Sequence, residues 1–226
     1  MKMFGCMKKC ELLVLIAFVT IFFLACSNGT ITEDDEISIK KTEISMEEAV
    51  FIAHEEADKY YDNLQVIEVH SYDNDDERSQ TSGQDGKREW WYVDFGNELC
   101  NYVSILIRNG QVLHVVAEEE NWNGGLIDFE NVVMTSEEAA QKAKELGLRG
   151  GNPENEEEWV SGYNFKLSRS SMRETPEKIY IFMEVIGISP NGNFAHIDFD
   201  ASTGEILLKE EKIIREDGSQ EWKEFI

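Results

Sequence analysis

FAHIDFDASTGEILL, residues 194–208, sets the pattern from which the fold can be read. Apolar and polar residues alternate along its first half, which is the two-residue period of a strand with one buried face. Ile197 and Phe199 then point into the core. The opposite face carries His196, Asp198 and Asp200. Ser-Thr-Gly-Glu predicts a turn and Ile-Leu-Leu a second strand, so the stretch predicts a β-hairpin.

The polar side of this hairpin raises the question of a metal site. Asp198, Asp200 and Ser202 have the 1, 3, 5 spacing of a calcium-binding EF-hand loop, but Gly204 comes one position late. Alternate side chains on a strand also stand about 6.7 Å apart at their bases, too far to converge on one ion. A His196-x-Asp198 pair serves a metal only when another element supplies a third ligand, and the sequence identifies none. We therefore predict no metal-binding residue here.

Other chemical motifs are equally incomplete. The acidic run DNDDE at 73–77 begins like an EF-hand loop but has Arg78 and Gln84 where glycine and glutamate are required. The sequence contains no H-E-x-x-H, no G-x-S-x-G and no phosphate-binding glycine loop. We predict a protein that is not an enzyme, with no catalytic residues and no cofactor. Weak binding of divalent cations to the acidic runs is left open.

An internal repeat organises the rest of the chain. ISMEEAVFIA (44–53) aligns with MTSEEAAQKA (134–143) at an offset of 90, and REWWYVDF (88–95) falls on KIYIFMEV (178–185) at the same offset. SILIRNGQVL (104–113) then matches HIDFDASTGEIL (196–207), with two extra residues in the second turn. In this last pair Ile105 and Ile107 correspond to Ile197 and Phe199, whereas the polar residues do not match. The buried side is repeated and the outer side is not.

Each repeat begins with a helix and continues with strands. Ser45 with Glu48, and Thr135 with Glu138, have the spacing of capping boxes, which predicts helices that start there. Strands are predicted at 64–72, 90–95, 162–168 and 179–185, and a C-terminal hairpin is predicted to turn at Asp217-Gly218. The sequence therefore predicts an α+β protein of two tandem modules, 44–133 and 134–226, each with one helix packed on a small antiparallel sheet.

This pattern resembles the PepSY domain family. The resemblance rests on the capped S-x-E-E-A helix start, the strand pair and the ending D-A-x-T-G-E-I-L, which fits Asp200 to Leu207. It covers most of 134–208 and, more loosely, 44–113, where RNGQVL keeps only Gly110 and the flanking apolar residues. The resemblance implies a non-enzymatic module of secreted and envelope proteins, found in propeptides of extracellular metallopeptidases and proposed to restrain peptidases. It implies no catalytic or cofactor-binding residues.

The N-terminus reads as a lipoprotein signal peptide, residues 1–25. Lysines at its start precede an apolar run at 12–25 that is shorter than the roughly 20 residues of a membrane-spanning helix. FLAC at 23–26 resembles a bacterial lipobox, which predicts a lipid on Cys26 and location at the extracytoplasmic face of the cell membrane. An ordinary secretory signal is the alternative. Residues 26–43 read as a flexible, acidic tether.

Charge and aromatic residues bear on the partner. Forty-five acidic residues against 21 basic ones give a net charge of −24, which excludes nucleic acid as a partner. We predict a protein partner, a peptidase being one candidate. The candidate contact residues are Trp122 and Trp159 in polar surroundings, and Asp198 and Asp200 on the outer side of the hairpin. A cation-binding protein and an architectural envelope lipoprotein are the alternative functions.

Overall fold

The computed structural model describes residues 42–71, 82–119, 125–151, 161–173 and 175–226, and its main element is one antiparallel sheet. Two short strands, β1 (Ile44–Ser45) and β3 (Lys87–Arg88), pair with each other outside it. The nine strands of the sheet are β2 (Gln65–Ser71), β4 (Trp90–Gly96), β5 (Asn101–Arg108), β6 (Gln111–Glu119), β7 (Asn164–Ser171), β8 (Ile179–Ile188), β9 (Phe194–Asp200), β10 (Ile206–Ile214) and β11 (Gln220–Glu224). Their spatial order is β11-β10-β9-β8-β7-β2-β4-β5-β6. Each half of the chain thus contributes a meander, and the two first strands, β2 and β7, join them.

One face of the sheet forms the hydrophobic core. A single row of register partners, each with no exposed surface, crosses six neighbouring strands: Ile105, Val93, Val69, Leu167, Met183 and Phe199. The helices α1 (Met46–Ala57) and α2 (Ser136–Glu145) bury small residues, chiefly alanines, in the same cluster. We call this side the core face and the opposite side the polar face.

The prediction of an α+β fold made of two separate helix-on-sheet modules is wrong. Strands make up 49% of the described residues, the two α-helices are short, and a single nine-stranded sheet replaces the two small ones. Val69 pairs with Leu167 and His70 with Lys166 across the junction. Pairing β2 with β7 removes one exposed edge from each meander and lets both bury their apolar faces in one core, which favours fusion over two small sheets.

The helix starts are confirmed in detail. Ser45 accepts from the backbone N–H of Glu48, whose carboxylate accepts from the Ser45 N–H at 2.9 Å, and Thr135 and Glu138 repeat this arrangement. The two starts also touch, because the Ser136 hydroxyl accepts from the Met46 N–H at 3.1 Å. Within the described residues, neither helix combines the length and the apolarity needed to cross a membrane.

The predicted hairpin of residues 194–208 is confirmed as β9 and β10. Ile197 and Phe199 are fully buried on the core face. In the turn, Asp200 accepts from the Ser202 N–H through Oδ1 at 2.9 Å and from the Gly204 N–H through its carbonyl at 2.7 Å. Gly204 has φ +72°, a conformation that glycine adopts at little cost. The C-terminal hairpin, β10 with β11, is confirmed as well.

Candidate functional site

The polar face carries a row of hydrogen-bonding and charged side chains across the middle of the sheet. The row is the neighbour of the buried one, displaced by one residue along each strand, and its register partners are Tyr92, His70, Lys166, Glu184 and Asp198 on β4, β2, β7, β8 and β9. Side chains of adjacent partners stand about 4.5–5.5 Å apart, so the row brings distant parts of the sequence into contact. Two clusters form along it.

The first cluster lies at the junction of β2 and β7. Glu68 receives Lys166 Nζ on one oxygen at 2.9 Å and lies 3.3 Å from His70 Nδ1 on the other. The hydrogen bond with His70, helped by Lys166, lowers the pKa of Glu68. Asp94, the register partner of Glu68, is held largely out of water, and this burial raises the pKa of Asp94. This cluster contains both acids and bases, and its charges largely compensate one another.

The second cluster joins β8 and β9. His196 Nδ1 lies 2.9 Å from Asp198 Oδ1 and 3.4 Å from Glu184 Oε1. All three side chains are mostly shielded from solvent, with exposed fractions of 14% for His196, 13% for Asp198 and 27% for Glu184. Within the part of the chain that the structure describes, this is the set whose histidine nitrogen and carboxylate oxygens converge, all within 4.8 Å of one another.

Electrostatics in the second cluster differ from those of the first. Burial raises the pKa of Glu184, and the neighbouring Asp198 carboxylate raises it further. Burial by itself lowers the pKa of His196, but the hydrogen bond and the charge of Asp198 outweigh it, so that the net shift is upward. Two carboxylates on directly opposed residues therefore share one imidazole.

The sequence did not reveal this cluster as a whole. The third donor, Glu184, sits in the apolar run IYIFMEV and only the pairing of β8 with β9 brings it opposite Asp198. His196 and Asp198, which the sequence already offered as a pair in need of a third ligand, lie on one face with Nδ1 and Oδ1 2.9 Å apart. The one available signal was a lone glutamate in an otherwise apolar strand.

The predicted contact residues fall in different places. Asp198 and Asp200 are both buried, which leaves little carboxylate surface for a partner, and Asp200 is used in the turn. Trp122, Trp159, Cys26, the signal peptide and the 73–77 acidic run lie outside the described residues. Partner contact at these positions stays a prediction.

A separate concave surface lies between α1 and the segment around residue 128. This groove has a volume of about 470 Å³, and its floor is formed by buried apolar side chains, Val50, Leu64, Val66 and Ile127. The Ile127 N–H donates to the Val66 carbonyl at 2.7 Å, which fixes the segment beside β2. Phe51 lines the groove and is 65% exposed.

The walls of the groove are acidic. Glu47, Asp128 and Glu130 line it, together with His54, Gln65 and Phe129. Asp128 begins a 3₁₀ turn, Phe129–Asn131, by accepting from the Glu130 N–H at 3.2 Å, so its carboxylate is held at the edge of the groove. An apolar floor with fixed acids on the walls is complementary to an apolar side chain flanked by basic residues.

Comparison of the chain with protein-family models, with curated proteins and with solved structures gave no match.

Proposed function

We propose that this chain is a non-enzymatic binding module, anchored by a lipid on Cys26 at the extracytoplasmic face of the cell membrane, that holds a segment of a protein partner in the acidic-walled groove. The observation that carries the proposal is Phe51, an aromatic ring 65% exposed beside an apolar floor and next to three carboxylates. An exposed aromatic ring at the edge of a concave apolar groove is the kind of surface at which ligands and partners bind.

The partner segment is defined by the chemistry of the groove. A leucine-sized or aromatic side chain fills the apolar floor, and lysine or arginine on either side of it faces Glu47, Asp128 and Glu130. The chain's net charge of −24 favours encounter with a basic segment and disfavours an acidic one. Neutral solutes of the same size gain only the apolar part of this interaction.

The contribution of Phe51 can be sized. An aromatic side chain buries about 150–250 Å², so covering the exposed two-thirds of Phe51 removes about 100–150 Å² from water and stabilises the complex by about 2–4 kcal/mol. Part of this is lost to ordering the partner segment. We therefore expect removal of the Phe51 ring to weaken binding by about 10-fold or more.

The test uses the purified full chain in detergent and fluorescent peptides with one leucine or phenylalanine flanked by lysines. Their fluorescence anisotropy is measured against chain concentration. We expect saturable binding that weakens with added salt and that Phe51→Ser reduces by about 10-fold or more. Leu113→Ser is the matched control, because Leu113 is also an exposed apolar residue, at 57%, but lies on β6 and not in the groove. Equal effects of the two substitutions, or no saturable binding, would overturn the proposal.

Restraint of a peptidase is the finer form of the proposal, motivated by the PepSY resemblance. In that form the captured segment belongs to a secreted or envelope peptidase, and adding the chain lowers the rate of peptide hydrolysis. Titration against extracellular peptidases of the host is the assay. Binding of basic peptides without any inhibition would remove the peptidase and leave the binding module in place.

A further inference from the structure

We propose that Glu184, His196 and Asp198 form a binding site for one divalent transition-metal ion on the polar face of the sheet. Zn²⁺ is the probe ion that suits the donors. The site shares no residue with the groove, and the inference does not depend on the function proposed above.

The geometry of the three donors fits one ion. Zn²⁺ holds histidine nitrogen and carboxylate oxygen at about 2.0–2.2 Å, which places its ligand atoms about 3–3.5 Å from one another. The measured separations from His196 Nδ1 are 2.9 Å to Asp198 Oδ1 and 3.4 Å to Glu184 Oε1. The ion binds the Nδ1 nitrogen in its unprotonated form, so it replaces any proton held there. All three ligand atoms lie within 4.8 Å of one another.

The strands hold the donors in place. Glu184 and Asp198 are register partners on β8 and β9, and His196 stands two residues from Asp198 on the same face. His196 also packs edge-on against Trp222, with ring centroids 5.0 Å apart, so the indole covers one side of the imidazole. Donors on paired central strands are better fixed than donors on a loop, which lowers the cost of organising them around an ion.

The charge balance favours a cation. Like charges on directly opposed residues destabilise a sheet, and Glu184 and Asp198 are such a pair. His196 forms an ion pair with each of them, and Lys166, the register partner of Glu184 on β7, offsets part of the Glu184 charge. Glu210 opposite His196 adds another negative charge. A dication bound between the two carboxylates compensates charge that a single imidazolium leaves in excess.

The other carboxylate pair of the polar face provides a comparison within the same molecule. Glu68 and Asp94 are also opposed, but Lys166 and His70 already neutralise Glu68, and Ser104 is the other partner of Asp94. No imidazole of the described residues joins Glu68 and Asp94 in a converging three-donor set. Glu68 and Asp94 are thus an opposed acidic pair that lacks the three converging donors, and Asp94 is the matched control position.

The nature of the donors selects the class of metal. Imidazole nitrogen suits Zn²⁺ and its neighbours in the first transition row, whereas Ca²⁺ takes six to eight oxygen ligands. Three protein donors leave at least one coordination position for water or for a ligand from a partner. We therefore expect Zn²⁺ to bind here in the presence of excess Ca²⁺.

The experiment is calorimetric titration of the purified full chain with Zn²⁺ in the presence of millimolar Ca²⁺, which occupies weak all-oxygen sites. The expected result is one Zn²⁺ site that His196→Gln and Asp198→Asn each weaken by at least about 10-fold, since even the loss of an outer-shell partner costs about 10–100-fold. Asp94→Asn should change the affinity by less than about twofold. Circular dichroism of each variant shows whether the fold is retained.

A spectroscopic readout locates the ion independently. Co²⁺, a paramagnetic substitute for Zn²⁺, should quench the fluorescence of Trp222, whose ring lies beside His196. Trp222→Phe should remove that quenching and keep the affinity within about twofold. Zn²⁺ affinity unchanged by His196→Gln, equal losses in Asp94→Asn and Asp198→Asn, or Co²⁺ quenching that Trp222→Phe leaves undiminished would each overturn the assignment.

Discussion

Replacing Ser71 by alanine tests the junction that turns two meanders into one sheet. The Ser71 hydroxyl donates to Asn164 Oδ1 at 2.6 Å and accepts from the Phe165 N–H at 3.0 Å, and both Ser71 and Asn164 are buried, at 8% and 3% exposed. The backbone pairing of β2 with β7 includes only two register pairs, so these side-chain bonds extend a short contact. Ser71→Ala removes both bonds and takes away the hydroxyl that accepts from the buried Phe165 N–H.

The cost follows from these two bonds. Each contributes about 0.5–1.5 kcal/mol, and a buried polar group left without a partner costs about 1–3 kcal/mol, so we expect the free energy of unfolding to fall by about 2–3 kcal/mol. With a urea dependence of about 1–3 kcal/mol per molar, the midpoint moves down by about 1 M. Because both halves share one core, the whole described fold should still unfold in one transition.

The assay is urea unfolding followed by tryptophan fluorescence and by far-ultraviolet circular dichroism. Ser170→Ala is the control, because Ser170 lies on β7, the strand that pairs with β2, but is exposed, and we expect it to change stability by less than about 0.5 kcal/mol. Equal effects of the two substitutions would refute the role of the junction. Two transitions, only one of which shifts in Ser71→Ala, would refute the single shared core.

Three further predictions concern single positions. Burial raises the pKa of Glu211, but hydrogen bonds from a serine and two asparagines of the β8–β9 turn outweigh it and hold the pKa below its usual 4.5. The stability that this carboxylate adds is therefore present above pH 4.5 and lost as pH falls through the lowered pKa. The difference in melting temperature between the chain and Glu211→Gln should shrink in that range, and a difference that grows on acidification would contradict this prediction. Gly86 (φ +77°) and Gly218 (φ +80°) would impose similar backbone strain on alanine, but a Cβ on Gly86 would lie 2.4 Å from the backbone nitrogen of Glu137, whereas nothing lies within 4 Å at Gly218. Chemical denaturation should therefore show Gly86→Ala to be more destabilising than Gly218→Ala by at least about 2 kcal/mol. Equal losses of stability would show that the contact of Gly86 with α2 is unimportant. Cys26→Ala should leave unprocessed precursor on gels of cell extracts, and normal maturation with an unchanged membrane fraction would speak against lipidation.

Local features of the fold could be predicted from the sequence because their causes are local. A capping box needs residues three apart, and Ser45 with Glu48 forms it as the spacing indicates. The hairpin of 194–208 follows from alternation and from a turn that requires Gly204. The strand pairing of the two halves differs from the sequence alignment by two residues. Ser104 lies opposite Asp94 as Asp198 lies opposite Glu184, so Ser104 corresponds to Asp198 and not to the aligned His196. A shift of two residues keeps each side chain on the same face, so the alignment still predicted the buried face correctly.

The sheet as a whole and the metal-binding cluster could not be predicted, because both depend on pairing between strands. Alternation in β2 shows that one face is buried but does not say which strand lies beside it, so the contact of Val69 with Leu167 has no local signal. Glu184 becomes a third donor only through its place opposite Asp198. His196 and Asp198 could be recognised as a pair from the sequence, whereas the third donor is identified only by the pairing of β8 with β9.

The β2–β7 junction also has a consequence for the order of folding. Val69 and Leu167 are roughly 100 residues apart in the chain, and closing a loop of that length costs about 4 kcal/mol of chain entropy, whereas each hairpin within a meander closes a far shorter loop. We therefore expect the hairpins to form first and the junction to close late. Because the chain is synthesised from its N-terminus, β2 is complete about 90 residues before β7 begins. The edge of β2 that later pairs with β7 is unpaired during that interval. We therefore expect the unpaired edge of β2 to favour association with other chains until β7 has been synthesised.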